Sequence, residues 1–214
     1  MDSPLTAGDK MKDAVIYIHG KGGSAQEREH YRPLFPDADV TGFDYKAQSP
    51  WEAAEEFPSL FDAAVREHSS VTVIANSIGA FFAMTALADK PIDRAFFISP
   101  VVDMEKLITD MMKWAGATED ELRLQREIIT PFGETLSWEY LCYIREHPIH
   151  WQIPTHILYG EKDELTASDT IAAFSERTGA TLTVMKNGEH WFHTEEQMKF
   201  LDNWLTGLSG KYQR

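Results

Sequence analysis

Cysteine is nearly absent: Cys142 is the only one in 214 residues. A single thiol excludes an intramolecular disulfide and suits a reducing cytoplasm. Positive charge is scarce too, with 20 Lys and Arg against 34 Asp and Glu and a formal net charge of −14. That surplus repels a phosphate backbone and an anionic bilayer, so neither nucleic acid nor membrane is an expected partner. No apolar run reaches the roughly 20 residues of a spanning helix, and the N-terminus lacks an apolar signal core. Residues 1–10 are polar and read as a disordered leader, or Met11 as the natural start. Repeats and low-complexity segments are missing. So are G-x-x-x-x-G-K-S/T and G-x-G-x-x-G, which argues against a phosphate cradle. His147, His150 and His156 are scattered without H-E-x-x-H spacing, so no metal is expected.

What is present suffices for one well-buried domain, since 43% of the chain is hydrophobic. Strand-like runs fall near 14–18, 39–43, 71–75, 94–98, 155–159 and 181–185, with helical patterns between them. Ser49-Pro50-Trp51-Glu52 is a capping box with proline at the first helical position. It opens a stripe of Phe57, Leu60, Phe61, Ala64 and Val65, which Pro58 is expected to kink or restart. Thr166 is placed to cap a helix carrying Ile171 and Phe174. Thr194-Glu195-Glu196-Gln197 opens a last helix through Leu201, Trp204, Leu205 and Leu208. The alternation predicts an α/β fold, a doubly wound, mostly parallel sheet of about six strands. Active sites in such sheets lie at the carboxyl ends of strands.

Residues 101–150 break this rhythm. Met104, Leu107, Ile108, Met111, Met112 and Ala115 follow helical spacing, Thr118-x-x-Glu121 caps a second helix, and Ser137 caps a third. No strand is expected here. The domain plan is therefore a core of 11–100 and 151–214 with a helical insertion at 101–150. The methionine stripe packs the insertion onto the body, and a few of its members, Met111 and Met112 first, are candidates to touch substrate.

Four of the predicted strands end in chemistry. Val71 to Ala75 runs into Asn76-Ser77-Ile78-Gly79 and then an apolar helix. This writes a strand, a sharp turn and a helix, with Ser77 at the tip between small Ala75 and Gly79. The N–H of Ile78 at the helix N-terminus then faces any oxyanion formed at Ser77. Val15 to Ile18 enters His19-Gly20-Lys21-Gly22-Gly23, whose glycines let backbone approach a ligand. The N–H of Lys21 is the expected second oxyanion donor. His19 reads as a hydrogen-bonding residue beside that loop and Asn76 as a turn stabiliser. His19, Gly20, Gly22 and Asn76, with Met111 and Met112, make the expected substrate wall. Asp163, in the loop Gly160-Glu161-Lys162-Asp163, is the expected acid, with Asp103 the alternative. His190 is the expected base. His193, just before Thr194, reads as a helix-start residue, and Asp44 as a loop anchor.

The chain order Ser77, Asp163, His190, with His19-Gly20, the Ser77 elbow, Gly160-x-x-Asp163 and Gly188-x-His190, resembles the α/β-hydrolase superfamily over residues 13 to 207. The resemblance is to its small, compact bacterial members. It implies loss of the usual first two strands, and a helical lid where residues 101–150 are inserted. The activity it implies is hydrolysis of a small carboxylic ester or thioester by a serine nucleophile, without cofactor, in a monomer or homodimer. Peptide hydrolysis, C–C cleavage or a lyase reaction on the same fold are alternatives, as is a catalytically silent binding module.

Overall fold

A computed structural model describes residues 12–66 and 68–209. The expectations for the leader and for Met11 fall outside them. The strands are β1 (Asp13–Ile18), β2 (Ala38–Gly42), β3 (Val71–Asn76), β4 (Arg94–Ile98), β5 (Glu127–Ile129), β6 (Thr135–Ser137), β7 (Thr155–Gly160) and β8 (Thr181–Met185). The helices are α1 (Arg28–Tyr31), α2 (Pro50–Val65), α3 (Ile78–Ala86), α4 (Met104–Ala115), α5 (Glu119–Gln125), α6 (Trp138–Glu146), α7 (Ser168–Thr178) and α8 (Glu195–Ser209).

Six strands form one sheet in the order β2-β1-β3-β4-β7-β8, and every neighbouring pair is parallel. Parallel strands covered on both faces read as unbroken apolar runs, because alternate residues enter different cores. Ile16, Val73, Phe97 and Ile157 join Phe57 and Phe61 of α2, Phe81 and Phe82 of α3, and Ile171 and Phe174 of α7. Val15, Ile74, Phe96 and Leu158 instead meet Tyr31 of α1 and Leu201, Trp204 and Leu205 of α8. Strand order reverses about β1, so the loops after β1 and β3 flank the crevice where doubly wound sheets bind ligands.

Caps account for most helix starts. Ser49 and Glu52 form the reciprocal box at α2, and Thr118 and Glu121 at α5. Asp103 caps α4 by accepting from Lys106 N at 2.9 Å, and Ser137 caps α6. Three expectations are corrected. Pro58 lies inside a continuous α2 and does not restart it. Thr166 does not cap α7: Ala167 occupies that position, and the Thr166 N–H is spent on the Asp163 carboxylate. The stretch between β4 and β7 is not wholly helical, since β5 and β6 pair antiparallel within it. Their turn is closed by Gly133 N–H to Thr130 O (3.1 Å), with Gly133 at φ 87°. Among the described residues no helix is long and apolar enough to cross a membrane.

Candidate active site

Ser77 stands between β3 and α3 at φ 50°, ψ −122°. A serine at positive φ costs about 1–3 kcal/mol, and it persists only where the surroundings over-determine it. Here β4 does so. Ser77 N–H donates to Ile98 O (3.0 Å), and Val101 N–H donates back to Ser77 O (3.1 Å). Glycine is required at position 79 because a Cβ there would overlap the His19 carbonyl oxygen. The small residues of the elbow therefore accommodate the loop after β1 as well as the turn itself.

Two further loops meet at Ser77. Gly160, closing β7, lies against the Gly188 backbone so tightly that any Cβ would collide with it. Lys162 N–H to Gly188 O (2.7 Å) and Asn187 N–H to Glu161 Oε2 (2.9 Å) clamp the loop after β7 to the loop after β8. The clamp sets Asp163 Oδ2 at 2.7 Å from His190 Nδ1, and His190 Nε2 lies 2.9 Å from Ser77 Oγ. The Asp163 side chain is fully buried, and its Oδ1 accepts from Leu165 N–H (2.9 Å) and Thr166 N–H (3.0 Å). This buried carboxylate is hydrogen-bonded on both oxygens, as desolvation demands. Asp103, the alternative acid, is a helix cap. His193 donates its Nδ1–H to Trp191 O (2.7 Å) and makes no hydrogen bond to Ser77 among the described residues.

Ile78 is the first residue of α3, where a backbone N–H has no acceptor within the helix. Its side chain and that of Lys21 line the same pocket as Ser77. His19 stacks on Tyr45 (4.2 Å between rings), and Tyr45 OH donates to His19 O (2.7 Å). His19 therefore supports the loop. The Lys21 ammonium pairs with Glu134 in the β5–β6 turn, fastening that hairpin to the loop after β1. Asn76 Nδ2 donates to Tyr17 OH (3.0 Å), and Tyr17 OH donates to Glu27. Burial pushes the Tyr17 phenol far above its ordinary range, so it remains a donor. Glu27 Oε1 also receives Ser24 N–H at 2.9 Å, which ties the elbow to the glycine loop. Sequence reasoning missed this network. Its trace was Ser24-x-x-Glu27, a capping-box spacing just after the glycines.

Ser77 lies between two clefts. One, of about 460 Å³, runs under α4 and the β5–β6 hairpin and includes Ile78, Phe82, Met104, Leu107, Ile108 and Met111 in its walls. The other, of about 790 Å³, lies on the His190 side and includes Gly20, Asn76, Trp191, Phe192 and Met198. Gly20 and Gly22 border both. Met111 thus reaches the first cleft. Met112, 5% exposed, belongs to the hydrophobic core instead, so of the two first candidates for substrate contact only Met111 reaches the cleft. The difference is one helical position, 100° of rotation.

The architecture and the site's position identify an α/β-hydrolase fold. No family model and no curated protein matches the sequence. Solved structures match its fold. Alpha/beta hydrolase domain-containing protein 10 from mouse aligns with a TM-score of 0.74 at 16% identity, over 92% of this chain and 90% of that one. Est1E from Butyrivibrio proteoclasticus aligns at 0.72 and 16%, over 97% and 90%. A monoacylglycerol lipase from Paleococcus ferrophilus aligns at 0.61 and 16%, over 91% and 94%. The chain shares their fold.

Proposed function

We propose that the protein is a serine hydrolase of carboxylic esters or thioesters. The observation that carries this reading is the Ser77–His190–Asp163 chain of hydrogen bonds, 2.9 and 2.7 Å long, at the mouth of an apolar cleft. Esterases and lipases among proteins of the same fold agree with it.

In this scheme His190 Nε2 takes the Ser77 proton as Oγ bonds to the acyl carbon. The N–H groups of Ile78 and Lys21 hold the oxyanion, each worth about 2.7–4 kcal/mol of barrier. The bond to the leaving group then breaks, and its oxygen or sulfur takes the proton from Nε2. Water attacks the acyl-enzyme and gives a proton to Nε2. The acid departs, and the proton returns to Ser77 Oγ. Asp163 holds the proton on Nδ1 throughout. The scheme uses no cofactor.

The group that leaves is protonated by His190, so it lies on the His190 side of Ser77. The acyl chain then occupies the 460 Å³ cleft, which His190 does not line. The segment from α4 to α6 acts as the lid over that cleft and excludes water during the reaction. A fluorophosphonate is expected to label Ser77 and no other serine, as read by peptide mapping. Labelling that persists in Ser77→Ala would refute the reading.

Met111→Ser is expected to shift kcat/KM across an acyl-length series, because its side chain reaches the acyl cleft. Met112→Ser is expected to lower Tm and leave that profile in place, because its side chain fills the core. Burying a hydroxyl where a thioether packed costs about 1–3 kcal/mol from the unpaired polar group alone. The inverse pattern would remove Met111 from the pocket wall.

A further inference from the structure

Trp114, Phe132 and Trp191 are 54%, 46% and 72% exposed. Large aromatic side chains are costly to leave in water, and exposed clusters of them mark binding surfaces. These three come from separate parts of the chain: the end of α4, the β5–β6 turn, and the residue after His190. They nevertheless wall one cleft of about 890 Å³, which opens on His190. Trp114 and Phe132 meet edge to face at 6.3 Å, and Trp191 stacks on His193 at 4.5 Å, so both tryptophan rings are held. Leu165 lines this cleft and both clefts at Ser77, which makes the three continuous around the site.

The geometry points to a subsite for the leaving group of the ester, and specifically for a sugar or another polyhydroxylated ring. This rests on the hydrolase reading of Ser77 and His190. Proton transfer puts the leaving group on the His190 side, which this cleft shares with the 790 Å³ cleft, and the exposed aromatic rings mark this one as the outer part of that side. The ring character follows from the walls, since flat aromatic faces cover the C–H face of a saturated ring. The hydroxyl character follows from the polar lining. Lys162, Glu164 and Glu189 stand among the aromatic rings, and carboxylates accept hydrogen bonds from hydroxyls without needing a counter-ion. Among the described residues Lys162 and Glu164 spend their side chains on no other hydrogen bond or ion pair. A purely aryl or alkyl group would strand these charges when it displaced their water. The net charge of −14 favours a neutral ligand over an anionic one.

The test uses butyrate esters that share an acyl group and differ only in the alcohol: glucose 6-butyrate, ethyl butyrate and phenyl butyrate. In the parent, kcat/KM is expected to favour the glucose ester. In Trp191→Ala and Trp114→Ala the ratio of glucose-ester to ethyl-ester kcat/KM is expected to fall about tenfold or more. A second measurement does not need turnover. Saturation-transfer NMR on Ser77→Ala should show saturable binding of methyl β-glucoside, lost when Trp191→Ala is added. An unchanged ratio with no glucoside binding overturns the subsite. A ratio that falls for phenyl butyrate alone overturns the sugar and makes the cleft an aryl site. If no butyrate ester is hydrolysed and Ser77 resists the fluorophosphonate, the hydrolase reading fails, and glucoside binding still decides the cleft.

Discussion

His190→Ala is expected to lower kcat by about 10⁴-fold or more, the scale on which triad members fail when removed singly. His193→Ala is expected to stay within about tenfold of the parent. The two histidines are three residues apart and both follow β8, so their sequence surroundings barely separate them. Geometry does. His190 Nε2 lies 2.9 Å from Ser77 Oγ and Nδ1 lies 2.7 Å from Asp163, which leaves neither nitrogen free for another task. His193 Nδ1 faces the Trp191 carbonyl at 2.7 Å and the Glu189 carboxylate at 3.6 Å, on the surface before α8. Steady-state kinetics on a simple aryl ester with both variants checks the assignment. Comparable losses in the two, or a larger loss in His193→Ala, would show the base to be elsewhere.

The distinction between what the sequence made legible and what it hid follows range along the chain. β1, β3, β4 and β7 were readable because burial on both faces writes them as unbroken β-branched and aromatic runs. The caps at Ser49, Thr118 and Ser137 were readable because a cap is a contact over three residues. The β5–β6 hairpin was hidden because each strand has only three residues, too few for a period of two to register. Its signal was Thr130-Pro131-Phe132-Gly133, proline and glycine in turn positions between short β-branched pieces. Thr166 misled because its type and spacing suit a cap, while its N–H joins that of Leu165 in a local turn closed by the Asp163 carboxylate, and the cap position falls one residue later at Ala167. The aromatic cleft was not legible at all. Trp114, Phe132 and Trp191 carry no shared pattern, and only tertiary structure gathers them.

Asp163→Asn is expected to cost about as much as losing the histidine, roughly 10⁴-fold in kcat, with the fold retained. The argument turns on the two oxygens of Asp163. Oδ1 accepts from the N–H groups of Leu165 and Thr166 at 2.9 and 3.0 Å, so that position must remain an acceptor. An asparagine therefore keeps its carbonyl oxygen there and turns its amide NH₂ toward His190 Nδ1. Nδ1 must then accept, which moves the imidazole proton to Nε2, the atom that has to receive the Ser77 proton. The base is present, correctly placed and in the wrong tautomer. Asp103→Asn is the matched control. Asp103 caps α4 through Lys106 N–H, and asparagine caps about as well as aspartate, so neither kcat nor Tm should move appreciably. NMR of the imidazole nitrogens in Asp163→Asn supplies a readout that a merely structural role would not alter: a proton on Nε2 where the parent carries it on Nδ1. A variant with near-parental kcat, or one that loses activity with Nδ1 still protonated, would mean that Asp163 does not set the histidine's tautomer.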